Sequence, residues 1–451
     1  YKRQVLVRAS TSKFQSQTIF NKENNNNMRY LLTVISLLAV ISLSARENIG
    51  MEGRVSNHYK ALASDCNVAT SQIDLDINNV RARMLGAGDM WWDLNDGLYE
   101  IPKVDASTGV IPVSSLFAGA LWIGGIDAGG QLKIAAQTYR QSGNDFWPGP
   151  LNSDGSTEQA QCNAYDRHWK VERTDIDDFI ELTAGGGTIA IGSVPKSILE
   201  WPAKGNPYAV GKSGEALTVT RALAPFVDAD ADGLYDPTQG DYPDIDGDQA
   251  IFWVYNDKGN IHTETGGDAI GIEVQMMAFG FQTSDEVNDM TFYRYKVLNF
   301  SSSVLDSTYF GQWVDADLGA YDDDYVGCDT TLDLGICYNG DAVDGPTSPN
   351  YGENPPIVGT DFFQGPKKFF TDPDDGELDS VTLGMSAFLY YNNDFSTIGN
   401  PELAAHYYGY LSGTWKDGSP FTRYGNGYGG SEPSNFMFPD DPDIPFPAWS
   451  E

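Results

Sequence analysis

An alternation of period two is the feature that most constrains how this chain can fold. Ile270, Ile272, Val274, Met276 and Ala278 alternate with Gly271, Glu273, Gln275 and Met277. Successive side chains of a strand point to opposite faces, so this spacing predicts a half-buried strand. Tyr293, Tyr295 and Val297 repeat the pattern against Arg294 and Lys296. The 48 glycines and 23 prolines are scattered as punctuation, which keeps the elements short. Phe252–Tyr255 and Ile261–Thr263 flank the turn sequence Asn256–Asn260, which predicts a hairpin. Two helices are expected. Thr174 to Asp177 reads as a capping box, and Asn400-Pro401 opens a helix over Glu402–Leu411 that stops near Gly413. The expected fold class is mainly β: sandwich-like antiparallel sheets with Asp-rich calcium loops and a few short helices.

The loop Asp228-Ala-Asp230-Ala-Asp232-Gly233-Leu234-Tyr-Asp236 carries the clearest chemical signal. Calcium takes six to eight oxygen ligands, and Asp228, Asp230, Asp232 and Asp236 stand at positions 1, 3, 5 and 9 of such a loop. Gly233 takes the sharp turn at position 6, and Leu234 at position 7 would offer its carbonyl. Position 12 is Gln239, where an EF-hand has a bidentate glutamate, and Pro237 blocks the exiting helix. The reading is therefore a DxDxDG loop between strands, its shell completed from Asp241, Asp244, Asp246 or Asp248. The plainer reading is a solvated acidic loop. A second acidic group follows Trp313: Asp315, Asp317, Asp322 and Asp323 could hold another calcium, or could be a strand end running into an acidic loop.

Charge narrows the function. The chain has 28 Lys+Arg against 63 Asp+Glu, a net charge of −35. Six of the basic residues and one acid lie in residues 1–45, leaving 22 basic and 62 acidic residues and a net charge of −40 over 46–451. Such a surface repels phosphate backbones and anionic lipid, which argues against nucleic-acid and membrane-surface binding.

The N-terminus is organised like a leader. Met28-Arg29, the apolar run Tyr30–Leu43 and Ser44-Ala45-Arg46 have the charged start, short hydrophobic stretch and small-residue end of a secretory signal peptide. Residues 28–45 are thus expected to be the signal peptide, with 1–27 as upstream sequence outside the folded protein or an extended leader. Residues 46–78 read as an extended lead-in, 79–225 as an N-terminal β-rich module, 226–250 as the Asp-rich loop, and 251–451 as a truncated C-terminal β-sandwich module. No later segment is long and apolar enough to span a membrane. In an oxidising compartment Cys66, Cys162, Cys328 and Cys337 read as disulfides. Cys328–Cys337 would close a short ring, leaving Cys66–Cys162.

Five stretches carry a family resemblance: Leu121–Gly130 (LWIGGIDAGG), Ala136–Gly143 (AQTYRQSG), Gly240–Gln249 (GDYPDIDGDQ), Thr291–Tyr295 (TFYRY) and Asp323–Asp329 (DDYVGCD). Together they resemble large secreted or cell-surface proteins of the Bacteroidetes that leave the cell through the type IX secretion system. The resemblance implies export machinery as a partner and an extracellular or surface location, and it implies no catalytic residue. Such proteins typically end in a sorting domain, which is not found before Glu451.

Enzyme signals are weak. Gly205–Ser213 imitates a phosphate-binding loop but has five residues between its glycines and a proline among them. His262 and Glu264 read as a surface pair rather than a zinc site. Trp91-Trp92, Phe146-Trp147 and Tyr407-Tyr408 could stack on sugar rings or fill the core. The favoured function is a non-enzymatic, calcium-stabilised extracellular β module in adhesion, matrix or glycan contact, with polysaccharide or a surface protein as partner. An extracellular glycan hydrolase using paired carboxylates, or its carbohydrate-binding module, is the alternative.

Overall fold

The computed structural model describes residues 3–14, 65–347, 349–371, 373 and 376–439. Residues 28–45, where a signal peptide is expected, and most of the expected lead-in lie outside the described residues. The first strands are β1 (Arg3–Phe14), β2 (Gln72–Leu75), β3 (Arg81–Leu85), β4 (Asp89–Met90), β5 (Tyr99–Glu100), β6 (Ser114–Leu116), β7 (Ala118–Asp127) and β8 (Leu132–Ala135). Then come β9 (Trp147–Pro148), β10 (Trp169–Glu172), β11 (Phe226–Val227), β12 (Tyr242–Pro243), β13 (Gln249–Asn256), β14 (Ile272–Gly280) and β15 (Phe292–Asn299). The last are β16 (Leu305–Ala316), β17 (Asp324–Asp329), β18 (Leu334–Asn339), β19 (Ile357–Asp361), β20 (Lys367–Thr371), β21 (Leu378–Thr382) and β22 (Ala387–Asn392). Four short helices join them: α1 (Gln159–Tyr165), α2 (Arg173–Thr183), α3 (Lys196–Leu199) and α4 (Ala404–Ser412).

The protein is mainly β, built from antiparallel sheets, as expected. The largest sheet runs β22-β1-β16-β7-β4-β3-β5-β6, with β2 on β3 and β8 on β7. A second sheet runs β10-β13-β14-β15, with β9 on β13. Strand β13 shows how the layers stack. Ile251, Trp253 and Tyr255 pack in the core shared with the large sheet. Ala250, Phe252 and Val254 pack in a second core, against residues of α1–α3. Because both of its faces are buried, β13 is a continuous apolar run rather than an alternating one. In β14 the apolar set Ile272, Val274, Met276 and Ala278 enters the shared core. Its polar set is buried too: Glu273 is 0% exposed, ion-paired with Arg221 and accepting the Leu151 N–H at 2.8 Å. The second core thus turns an expected half-buried strand into one buried at every position but Phe279.

Aromatic packing dominates the shared core. Trp122 on β7 stacks on Trp313 on β16 at 6.4 Å, and Tyr407 from α4 meets Trp122 edge-on at 4.8 Å. Gly119 is fixed by such a contact, since a Cβ there would lie 2.3 Å from Trp91. Trp91, Trp92, Phe146, Trp147, Tyr407 and Tyr410 are buried and belong to the packed interior, whereas Tyr408 is half-buried and meets Tyr309 edge-on at 5.8 Å.

Four expectations are corrected. First, residues 3–14 are not outside the fold. They form β1, paired with β16 along the whole strand and with β22 over Arg3–Arg8. The segment carries Val, Leu and Thr without Gly or Pro, a composition that suits a central strand. Secondly, pairing of β7 with β16, and of β9 and β10 with β13, joins residues on both sides of 226–250. Thirdly, Ile261–Thr263 forms no strand. β13 pairs with β14 instead, because the buried Asp257 carboxylate accepts the N–H groups of Ile270, Gly271 and Ile272 at 2.5–2.9 Å and sets the return of the chain. Fourthly, Cys66–Cys162 is bridged, but Cys328 and Cys337 are buried thiols. The register sets Cys328 opposite Gly335 and Cys337 opposite Val326, a diagonal pair.

The helices start elsewhere than their signals suggest. α2 begins at Arg173, before Thr174, and its N-cap Glu172 makes no side-chain cap bond. α4 begins at Ala404 and ends at Gly413, whose φ of 103° is the left-handed cap that glycine supplies.

Candidate metal centre

The Asp-rich loop lies between the short strands β11 and β12, and its side chains are held by its own backbone. Asp228 Oδ1 accepts the Asp232 N–H at 3.2 Å and its Oδ2 accepts the Gly233 N–H at 2.8 Å. Asp230 Oδ1 accepts the Asp232 N–H at 3.2 Å, and Asp232 Oδ1 accepts the Leu234 N–H at 2.8 Å. The bend needs left-handed backbone at two places, Ala231 (φ 62°) and Gly233 (φ 80°). Asp241 reaches back from the start of β12. Its two oxygens accept the Ala229 N–H at 2.7 Å and the Asp236 N–H at 2.8 Å.

This geometry brings ligand oxygens of Asp228, Asp230 and Asp241 within 4.8 Å of one another. Asp241 is 0% exposed, Asp228 is half-buried and Asp230 is exposed. Burial pushes the Asp241 carboxyl above its ordinary value against the pull of two backbone N–H groups, and the charges of Asp230 and Asp228 push the same way. Among the described residues no Lys, Arg or His forms an ion pair with any of the three; Lys204 reaches only the Gly233 carbonyl, at 3.2 Å. Two like charges about 4 Å apart repel by up to ~4 kcal/mol at the effective dielectric of a protein surface. Each carboxylate oxygen retains acceptor capacity beside the single N–H it meets. The donor set is hard and anionic, and it could hold a metal ion.

The other expected carboxylates lie outside this group. Asp232 and Asp236 serve the turns, Asp236 Oδ1 accepting the Thr238 N–H at 2.9 Å. Leu234 is 44% exposed, and its side chain packs beside Gly205. Asp244 is exposed, Asp246 pairs with Arg294, and Asp248 accepts the Gln282 N–H at 2.8 Å. In the second acidic stretch Asp315 accepts from the Tyr139 hydroxyl, Asp317 is buried, Asp322 is exposed and Asp323 accepts the Gly345 N–H at 2.9 Å. These four do not converge as a metal-ligand group among the described residues. Asp324, which closes that acidic run, and Asp344, which the sequence did not single out, organise the loop by accepting the N–H groups of Leu318 and Ala320, each at 2.9 Å.

A buried polar group was missed by sequence reasoning. His262 and Glu264 are 4% and 6% exposed, so they are not a surface pair. The His262 nitrogens face the carbonyls of Ile134 at 2.8 Å and Asp257 at 2.7 Å, with the Asp145 carboxylate 3.5 Å away. Glu264 Oε1 accepts from Thr138 and from the Tyr407 hydroxyl at 2.8 Å, while Oε2 meets no hydrogen-bond partner. Burial raises its carboxyl to about 8. Its sequence trace was only the alternation His262-Thr-Glu264. The Gly205–Ser213 stretch forms no phosphate cradle; Gly205, Asn206 and Pro207 line an open groove of about 450 Å³ with Leu234.

Comparison with protein-family models, curated proteins and solved structures returns no match to this chain.

Proposed function

We propose that this protein is a non-enzymatic extracellular β module, clamped by one calcium ion at Asp228, Asp230 and Asp241, that works in adhesion, matrix or glycan contact at the cell surface. The observation carrying the reading is the convergence of three carboxylates with, among the described residues, no cationic side chain paired to them. The Cys66–Cys162 bridge and the acidic composition suit an exported protein. No helix among the described residues is long and apolar enough to cross a membrane. The ion would tie the loop to the start of β12 and so hold the edge of the second core. A role in hydrolysis is less favoured, because the acidic neighbours Glu264 and Asp145 sit within the packed interior.

Melting with and without a calcium chelator tests this reading. At a calcium concentration about ten times Kd, binding contributes ~1.4 kcal/mol. For a chain of this size that is a melting shift of about 2 °C. An unchanged curve across millimolar calcium and chelator would sink the clamp.

A further inference from the structure

Strand β1 occupies an unusual place. It lies inside the large sheet, yet residues 15–64, which include the signal-like run Tyr30–Leu43, separate it in sequence from the rest of the described chain. It pairs antiparallel with β16 from Arg3↔Ala316 to Phe14↔Leu305, and with β22 from Arg3↔Asn392 to Arg8↔Ala387. Among the described strands, β22 joins the sheet only through β1. Removing β1 would leave two facing strand edges roughly 9.5 Å apart, twice the inter-strand spacing, with their N–H and C=O groups unpaired. That gap is one strand wide.

The gap also has a seat for a side chain. Leu6 is 0% exposed in the shared core. A Cβ on Gly311 would come within 2.7 Å of Leu6 Cδ1 and 2.9 Å of Leu411 Cδ2, so the missing side chain of Gly311 makes the room that Leu6 fills. Charge favours the same kind of occupant. Residues 1–14 carry Lys2, Arg3, Arg8 and Lys13 and no acid, whereas residues 46–451 carry a net charge of −40. The register places Lys13 opposite Asp306 and Gln4 opposite Asp315.

We propose that the channel between β16 and β22 is a strand-acceptor site. In the uncut chain residues 3–14 fill it. After the leader is removed it takes an extended, basic segment of another protein by strand addition. Backbone pairing supplies the affinity and a leucine-sized residue over Gly311 supplies the register. The proposal rests on the export reading for the cut itself. That cut is hydrolysis by a peptidase of one peptide bond near Arg46, water giving its hydroxyl to the new carboxyl end and a proton to the new amine.

The test starts from the folded full chain with a protease recognition sequence replacing Asn24–Asn27. After cutting, the leader fragment is separated in denaturant and the remaining chain is refolded; a fluorescent peptide of residues 1–14 is then added, and uptake is followed by anisotropy and by size-exclusion chromatography with light scattering. The expected result is one labelled peptide per chain, with the L6D peptide binding at least tenfold more weakly. No uptake by the cut protein, or equal uptake of the L6D peptide, would overturn the acceptor site. Conversion of the cut protein to a dimer without peptide uptake would assign the gap to a second copy and overturn the partner reading. The mass of the exported chain separates the two premises: a mature protein still carrying residue 1 would refute the cut while leaving the peptide result to stand.

Discussion

Replacing Glu264 by glutamine should make the protein more stable at pH 8 and remove part of its pH dependence. Glu264 is 6% exposed and its carboxyl is raised to about 8, chiefly by burial, against an ordinary value of 4.5. The sign follows from which state holds the proton. Below pH 4.5 both states are protonated and nothing is lost. Between 4.5 and 8 the unfolded chain releases its proton while the folded chain keeps it, so stability falls as pH rises. At about 1.4 kcal/mol per pH unit, a gap of roughly 3.5 units sets a ceiling of ~5 kcal/mol by pH 8. A glutamine can still accept from Thr138 and Tyr407 through its carbonyl oxygen. Its amide must find room where Oε2 now meets no partner, which lowers the expected gain to about 2–4 kcal/mol. Denaturant midpoints measured from pH 5 to pH 8.5 in constant calcium give both quantities. The difference between E264Q and the parent should grow with pH. Parallel curves would refute the assignment of a protonated buried Glu264.

Two further outcomes follow from the packing. The Cys66–Cys162 bridge spans a sequence separation of 96 residues, so C66S with C162S should lose about 4–5 kcal/mol of stability. Scanning calorimetry would read this as a fall of roughly 5 °C; a fall under 1 °C would show that the bridge constrains little. R221M leaves Glu273, 0% exposed, without its cation and should cost roughly 2–3 kcal/mol, discounted because Arg221 is partly exposed. Adding E273Q should restore most of that loss in a double-mutant cycle, and no restoration would place the cost elsewhere.

Sequence legibility tracked locality. The alternation in β14 and β15 and the glycine stop of α4 depend on neighbours within a few residues, and both could be read directly. The depth of burial could not, because it depends on a second core that covers the other face of the sheet. The hairpin expected around Asn256–Asn260 failed for a related reason: Asp257 makes its decisive bonds to residues 13–15 positions away. Of the metal candidates, Asp228 and Asp230 were visible as a spaced motif, and Asp241 only as a possible completion. Asp232 and Asp236 fitted the motif equally well but are used by the local turns. The β1 strand was misplaced because a basic segment upstream of a signal-like run gives no local sign that it enters a distant sheet.

Calorimetric titration of calcium into chelator-treated protein, beside D228N and D241N, tests the clamp most directly. One site is expected, with Kd in the roughly 10⁻⁴–10⁻³ M range of extracellular modules. Binding should be weakened at least tenfold by either substitution, with no loss of fold in calcium-free buffer. Absence of calcium binding up to 10 mM, or a site that survives both substitutions, would contradict it.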